Sequence, residues 1–287
     1  MKISYTARIL GFLLILFSTA QILPIGIALI YNELSEIIGF VYAFLITITS
    51  GLTLFFLSSN NKQELKTRDG FIITVFFWTV LAIFGSFPFY FADYINNSYI
   101  DSLFESISGL TTTGATVFSN LDEMPKAILF YRQFLQWLGG MGIVVLAVAV
   151  LPLLGVGGMQ LYKAETPGPL KNAKLTPRIT ETAKALWYVY LTITVACSIL
   201  YYLSGMTLFD AICHAFSTIS IGGFSTHDQS FAYFNNFYIE WVAMIFMLIA
   251  GINFAHHFTS WSKSKINRLY IKHYFIDPEI KLYFLII

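Results

Sequence analysis

Two runs of the chain place chemically capable residues at regular spacing. They are Asp101–Thr116, DSLFESISGLTTTGAT, and Asp210–Ser225, DAICHAFSTISIGGFS. Each opens with a carboxylate, continues in helix-compatible residues and ends in a hydroxyl- and glycine-rich stretch. Read as a helix, Asp101–Leu110 is ~15 Å long, half the thickness of a bilayer core. Asp101 and Asp210 mark the helix starts, where an N-cap carboxylate satisfies free N–H groups and opposes the positive dipole end. The negative end then lies at mid-membrane and favours a cation. The β-branched Thr111, Thr112 and Thr113 resist continuing the helix, and Gly114 reaches backbone angles that other residues avoid. The chain can therefore return in extended form with unpaired carbonyls, which lipid forbids unless they line a cavity. A ring of such carbonyls replaces the hydration shell of an alkali cation. Ser220, Ile221, Gly222 and Gly223 repeat the design. The ligands are backbone oxygens, so side chains can vary while glycine is not easily replaced.

Other constellations compete for attention. Asp210, His214 and Ser217 share one helical face and invite a membrane-embedded hydrolase using Ser217 and His214. Three triad members on one short helix can hardly meet in the required order, and the first run offers Asp101, Glu105 and Ser108 with no histidine. A polar face packed against neighbouring protein explains them better. His256 and His257 are adjacent, point to different faces and do not share one ion easily. Cys197 and Cys213 lie in apolar surroundings and form neither a disulfide framework nor a metal pair. Asn96-Asn97-Ser98 is a formal glycosylation sequon that carries no weight without a eukaryotic context.

The elements that must position these runs are membrane spans. Of 287 residues, 56% are hydrophobic and only 11% charged, against about 25% in a soluble domain. That balance argues against a soluble enzyme. A net charge of +1 gives no field for a polyanion, so no nucleic-acid partner is expected. A span needs about 20 apolar residues. Stretches free of charge and histidine cover Ile9–Tyr31, Ile37–Leu57, Phe71–Ala92, Gln133–Tyr162 and Ala185–Phe209. Tyr238–Ala255 follows, interrupted by Glu240, and Leu282–Ile287 looks like the start of another span. Ser106–Leu121 and Ala215–Thr226 are also charge-free but short. If both enter and leave on the outer side, all but Lys126 and Arg132 of the 17 Lys and Arg are cytoplasmic, with the N-terminus inside. If both cross, Lys163, Lys171, Lys174, Arg178 and Lys184 move outside. The basic residues favour the re-entrant topology.

An offset of 109 aligns Asp101 with Asp210, Ser108 with Ser217, Gly114 with Gly223 and Thr116 with Ser225. It also aligns Trp78 with Trp187 and Thr67 with Thr176. Gln136-Trp137 resembles Glu240-Trp241 at an offset of 104, which implies a shortened second loop. The expected architecture is an all-α polytopic membrane protein. A two-helix transmembrane unit (1–60) precedes a first span–pore helix–filter loop–span repeat (61–162). A basic cytoplasmic loop with the second repeat (163–262) follows, then a loop and the start of a third repeat (263–287). Gly139, Gly140 and Gly142 suit close helix packing, with room for backbone contact with the pore loop. Pro152 and Gly155–Gly158 should end that span. Pro167-Gly168-Pro169 and Thr176-Pro177 leave little regular structure before about Ile179.

Asp101–Thr116, Leu135–Tyr162, Thr176–Leu191 and Gly205–Asp228 resemble the bacterial TrkH potassium uptake proteins of the Trk/Ktr/HKT cation transporter superfamily. The resemblance runs through most of the chain. It implies a potassium-translocating pore subunit of the inner membrane that forms a homodimer. It further implies a cytoplasmic nucleotide-binding TrkA-type regulatory partner, potassium as substrate and no covalently bound cofactor. Filter roles transfer onto Thr111, Thr112, Thr113 and Gly114, and onto Ser220, Ile221, Gly222 and Gly223. The family pore has four repeats where this chain has two, so the chain resembles the N-terminal part of a longer protein. A sodium-permeable or proton-coupled relative is the alternative within transport.

The topology makes a direct prediction. A cysteine introduced at Lys171 should stay unlabelled by an impermeant thiol reagent applied to intact cells, and label after permeabilisation.

Overall fold

The computed structural model describes residues 3–58, 67–94, 98–142, 176–252, 254, 257 and 278–287, and every regular element among them is a helix. In order these are α1 Ile3–Ala20, α2 Ile22–Ile30, α3 Leu34–Leu57, α4 Thr67–Gly85, α5 Phe87–Tyr90, α6 Tyr99–Leu110 and α7 Lys126–Gly140. Then come α8 Thr176–Leu203, α9 Leu208–Ile219, α10 Phe237–Gly251 and α11 Pro278–Ile286. Short 3₁₀ turns occupy Leu121–Glu123 and Ser230–Phe234. Among the described residues four stretches are long and apolar enough to cross a membrane: Thr6–Ile30, Leu34–Leu57, Ile72–Tyr90 and Lys184–Leu203. The expected span Gln133–Tyr162 is described only to residue 142. Its stop at Pro152 and Gly155–Gly158 lies outside the described residues, as do most of both basic loops, Asn96, Asn97 and His256.

Two expected spans are broken where proline removes a backbone donor. Pro24 cannot donate to the Ala20 carbonyl, and the helix is interrupted at Gln21. Pro88 likewise frees the Phe84 carbonyl, and α4 gives way to α5 at Ser86. The two breaks meet. Gln21 Nε2 donates to the Phe84 carbonyl at 3.4 Å, and the buried Tyr131 hydroxyl donates to the Gly85 carbonyl at 3.0 Å. Offset by 109, Pro88 falls on Cys197, and α8 there runs unbroken to Leu203. It stops six residues short of the expected Phe209, which belongs to α9. Helix α8 also begins at Thr176, earlier than the prolines led us to expect, because Pro177 sits in its first turn where no donor is needed.

The repeat is carried into structure. Helices α4 and α8 start at Thr67 and Thr176, and α6 and α9 span residues offset by 109 at both ends. The outer helices correct the alignment beyond the filter loops. Helices α7 and α10 are 15 residues each and are offset by 111, not 104. The Gln136-Trp137 likeness to Glu240-Trp241 pairs the late part of one helix with the first turn of the other. The second loop is longer by two residues, and the added pair lies in its 3₁₀ turn, which has 5 residues against 3.

Helix α7 is the hub. It packs on α2, α6 and α9, and Ala127 through Gln136 are buried all round. Its N-terminus is capped from another unit: Glu33, in the turn between α2 and α3, accepts from Lys126 N at 2.6 Å and Ala127 N at 2.9 Å. At the opposite end of the hairpin, Arg8 Nη1 donates to the Ser58 carbonyl at 3.3 Å. Replacing Glu33 by Ala frees two helix N-terminal donors and removes an anion from the positive dipole end. The loss should be ~1–2 kcal/mol, read as a lower melting temperature in detergent, with Glu33→Gln intermediate.

Candidate functional site

Both short helices begin with the same local device, two residues earlier than Asp101 and Asp210 suggested. Ser98 is the N-cap of α6, and Asp101 is its third residue in a reciprocal capping box: Ser98 Oγ accepts from Asp101 N at 3.3 Å, and Asp101 Oδ2 accepts from Ser98 N at 3.1 Å. Thr207 and Asp210 repeat its hydroxyl half at the start of α9, where Thr207 Oγ1 accepts from Asp210 N at 3.1 Å and donates to Asp210 Oδ2 at 2.6 Å. The carboxylates are therefore not N-caps, because the side chain of the residue three before each takes that place. They still oppose the positive end of the dipole within the first turn.

The helix ends match as closely. Thr112 N donates to the Gly109 carbonyl at 3.0 Å and Thr113 N to the Ser108 carbonyl at 2.9 Å. Ile221 N reaches Thr218 at 3.2 Å and Gly222 N reaches Ser217 at 2.8 Å. Each is a Schellman motif, which requires a left-handed residue. Thr112 (φ 55°) and Ile221 (φ 52°) fill that place although both are β-branched, and such residues there are outliers that need outside support. Two residues on, Gly114 (φ 77°) and Gly223 (φ 87°) are left-handed again. Among the described residues none donates a hydrogen bond to the carbonyls of Thr111–Gly114 or Ser220–Gly223.

The two loops touch. A Cβ on Gly114 would lie 1.9 Å from the Gly222 carbonyl oxygen, so glycine is needed there for space as well as for φ. A Cβ on Gly223 would meet nothing among the described residues within 4 Å. Helix α7 backs the pair. A Cβ on Gly139 would lie 2.0 Å from the Leu110 carbonyl, and one on Gly140 3.0 Å from Ser220 Cβ. These glycines therefore let α7 approach the end of α6, the start of the second loop and the Tyr190 hydroxyl, while Gly142 packs against Trp78. Gln136 Oε1 accepts from Phe224 N at 3.1 Å.

Arg132 and Glu105 form an ion pair with both side chains fully buried, Nη2 to Oε1 at 2.7 Å. The sequence placed Arg132 in the outer set and Glu105 on a polar face; a charge-free-stretch reading does not bring them together. Beyond the two loops, His227 donates through Nδ1 to Asp122 and stacks on Tyr233 with ring centroids 3.5 Å apart. That hydrogen bond holds Asp122 below its ordinary carboxylate range.

The geometry does not form a hydrolase triad. A carbonyl only accepts, so His214 Nδ1 carries the proton it gives to the Asp210 carbonyl at 2.9 Å. Its Nε2 meets Ser225 Oγ at 3.0 Å, not Ser217. The Asp210 carboxylate takes Thr226 Oγ1 at 2.7 Å. His257 Nε2 donates to the Ile249 carbonyl at 3.0 Å. Cys197 and Cys213 are free and buried.

A family model described as TrkH, cation transport protein, matches residues 37–287. The Trk system potassium uptake protein TrkH of Vibrio parahaemolyticus is 54% identical over 279 residues, covering 97% of this chain and 57% of its own length. That of Escherichia coli is 51% identical over 276 residues, covering 96% and 56%. The crystal structure of the potassium transporter TrkH from Vibrio parahaemolyticus superimposes with a TM-score of 0.85 at 49% identity, over 99% of this chain and 57% of that one. The chain thus spans little more than half the length of these relatives.

The loop geometry separates two glycines that the sequence treats alike. Gly114→Ala should destabilise the chain more than Gly223→Ala, which carries only the left-handed penalty of ~1–2 kcal/mol. Ile221→Gly should raise the melting temperature by relieving strain of ~1 kcal/mol. Thermal unfolding in detergent reads all three.

Proposed function

The chain belongs to the TrkH family of cation transport proteins, and we propose that it supplies two filter loops of a potassium pathway in a Trk-type uptake system. The observation that carries this reading is the pair of re-entrant loops, alike in cap, in left-handed positions and in unpaired carbonyls, that meet at Gly114 and Gly222. In this reading the backbone oxygens of Thr111, Thr112, Thr113 and Gly114, and of Ser220, Ile221, Gly222 and Gly223, replace water around a dehydrated potassium ion. Potassium is substrate, and the chemistry needs no covalently bound cofactor. The negative ends of α6 and α9 lie behind the loops and favour a cation there.

The basic residues orient the protein in the plasma membrane with its N-terminus in the cytoplasm. The contacts divide in keeping with this: Arg8 meets Ser58 at one end of the first hairpin, and Glu33 meets Lys126 at the other. The reading includes a second copy of the protein and a cytoplasmic nucleotide-binding TrkA-type regulator. The relatives' names place them in a Trk system, which supports further components.

Two loops enclose a cation on part of its circumference only. The 287-residue chain alone should therefore not restore growth at limiting potassium in cells lacking other uptake routes. Co-expression of the remaining length of the Vibrio relative as a separate chain should restore it. Growth with the chain alone would overturn the half-ring reading.

A further inference from the structure

The outgoing limbs of the two loops are held at matching places by different chemistry. At the offset of 109, Glu105 corresponds to His214 and Thr116 to Ser225. In the first unit Thr116 Oγ1 donates to the Glu105 carboxylate, 2.9 Å and 3.0 Å from its two oxygens. In the second, Ser225 Oγ lies 3.0 Å from His214 Nε2. Each bond is a strut from mid-helix to the limb eleven residues on. The first strut is anionic and the second neutral.

Arg132 belongs to the anionic one. Its Nε donates to Glu105 Oε1 at 2.7 Å, its Nη2 to Thr116 Oγ1 at 3.0 Å and its Nη1 to the Ser225 carbonyl at 3.1 Å. One guanidinium thus holds the limbs of both loops. At the helix offset of 111 its counterpart is Ala243, so the second unit lacks the anion and the cation together. Such a buried pair is a poor source of stability, because desolvation offsets most of its attraction. What a planar fork supplies, and an ammonium does not, is a fixed bearing between several acceptors.

We infer that Glu105 and Arg132, acting through Thr116 and the Ser225 carbonyl, are positioning residues that set the separation of the two loops and so the preference among alkali cations. The inference rests on the reading of these loops as an ion filter. Sodium and potassium differ by a fraction of an ångström in radius, so a choice by size requires the spacing of the carbonyls to be held that closely.

The test uses the chain fused to the remaining length of the Vibrio relative, purified and reconstituted in liposomes, with uptake of labelled rubidium and sodium as the readout. Arg132→Lys and Thr116→Val should each lower the rubidium-to-sodium ratio by ~10-fold or more, while Thr116→Ser, which keeps the hydroxyl, retains it. Glu105→Gln combined with Arg132→Gln removes both charges without stranding either, and should also lower the ratio. Melting temperature and elution profile are measured beside each flux. Folded Thr116→Val and double variants with the wild-type ratio, or with lowered stability alone, would overturn the inference and leave the filter reading standing. No cation flux in the unmutated fusion would remove both.

Discussion

Backbone that leaves helical geometry partway across a lipid slab must be held there by protein, because water cannot reach its N–H and C=O groups. The structure answers this at several points of both loops. The first amides beyond the helices turn back onto helical carbonyls in Schellman motifs. Farther along the second loop, Phe224 N is taken by the Gln136 side chain, and the Ser225 carbonyl by Arg132. Among the described residues the carbonyls of Thr111–Gly114 and Ser220–Gly223 have no donor. Helix α7 supplies the anchors from positions buried on every side, which explains Arg132 and Gln136 in the middle of a largely apolar segment.

The same economy governs the broken spans. Pro88 frees the Phe84 carbonyl, and the break at Pro24 turns Gln21 toward it. The buried Gly85 carbonyl draws the Tyr131 hydroxyl and thereby α7. Each interruption of regular structure becomes a contact point between units. Where the repeat lacks the proline, at Cys197, it also lacks the interruption. The N-terminal hairpin reaches the second unit too, with Tyr31 edge-on to Phe209 and Lys126 over the same ring.

Much of this was legible in the sequence, for identifiable reasons. Spans are set by length and charge, and α3 lies within three residues of its expected limits. The pore helices were legible because their starts, ends and left-handed positions recur at one offset. The N-caps were mistaken because an Asp at the third helical position and one at the cap look alike without coordinates. The offset of 104 rested on a Trp pair, and an aromatic near an interface recurs without common descent of position. The Arg132–Glu105 pair was invisible because its partners are 27 residues apart, on separate helices, and nothing in either neighbourhood names the other.

The carboxylate of Glu33 also gives the molecule a direction in time. Translation delivers α1 to α3 before α7 leaves the ribosome, and segments of a chain generally settle in the order made. When Lys126 and Ala127 emerge, the group that will accept their amide protons is already in place. The hub around which both loops assemble is therefore docked onto a finished template rather than searching for one. A rearranged gene that moved α1 to α3 to the end of the chain would keep every contact in the final fold. It would still leave the hub's first turn without a partner throughout the time it waits in the translocation channel.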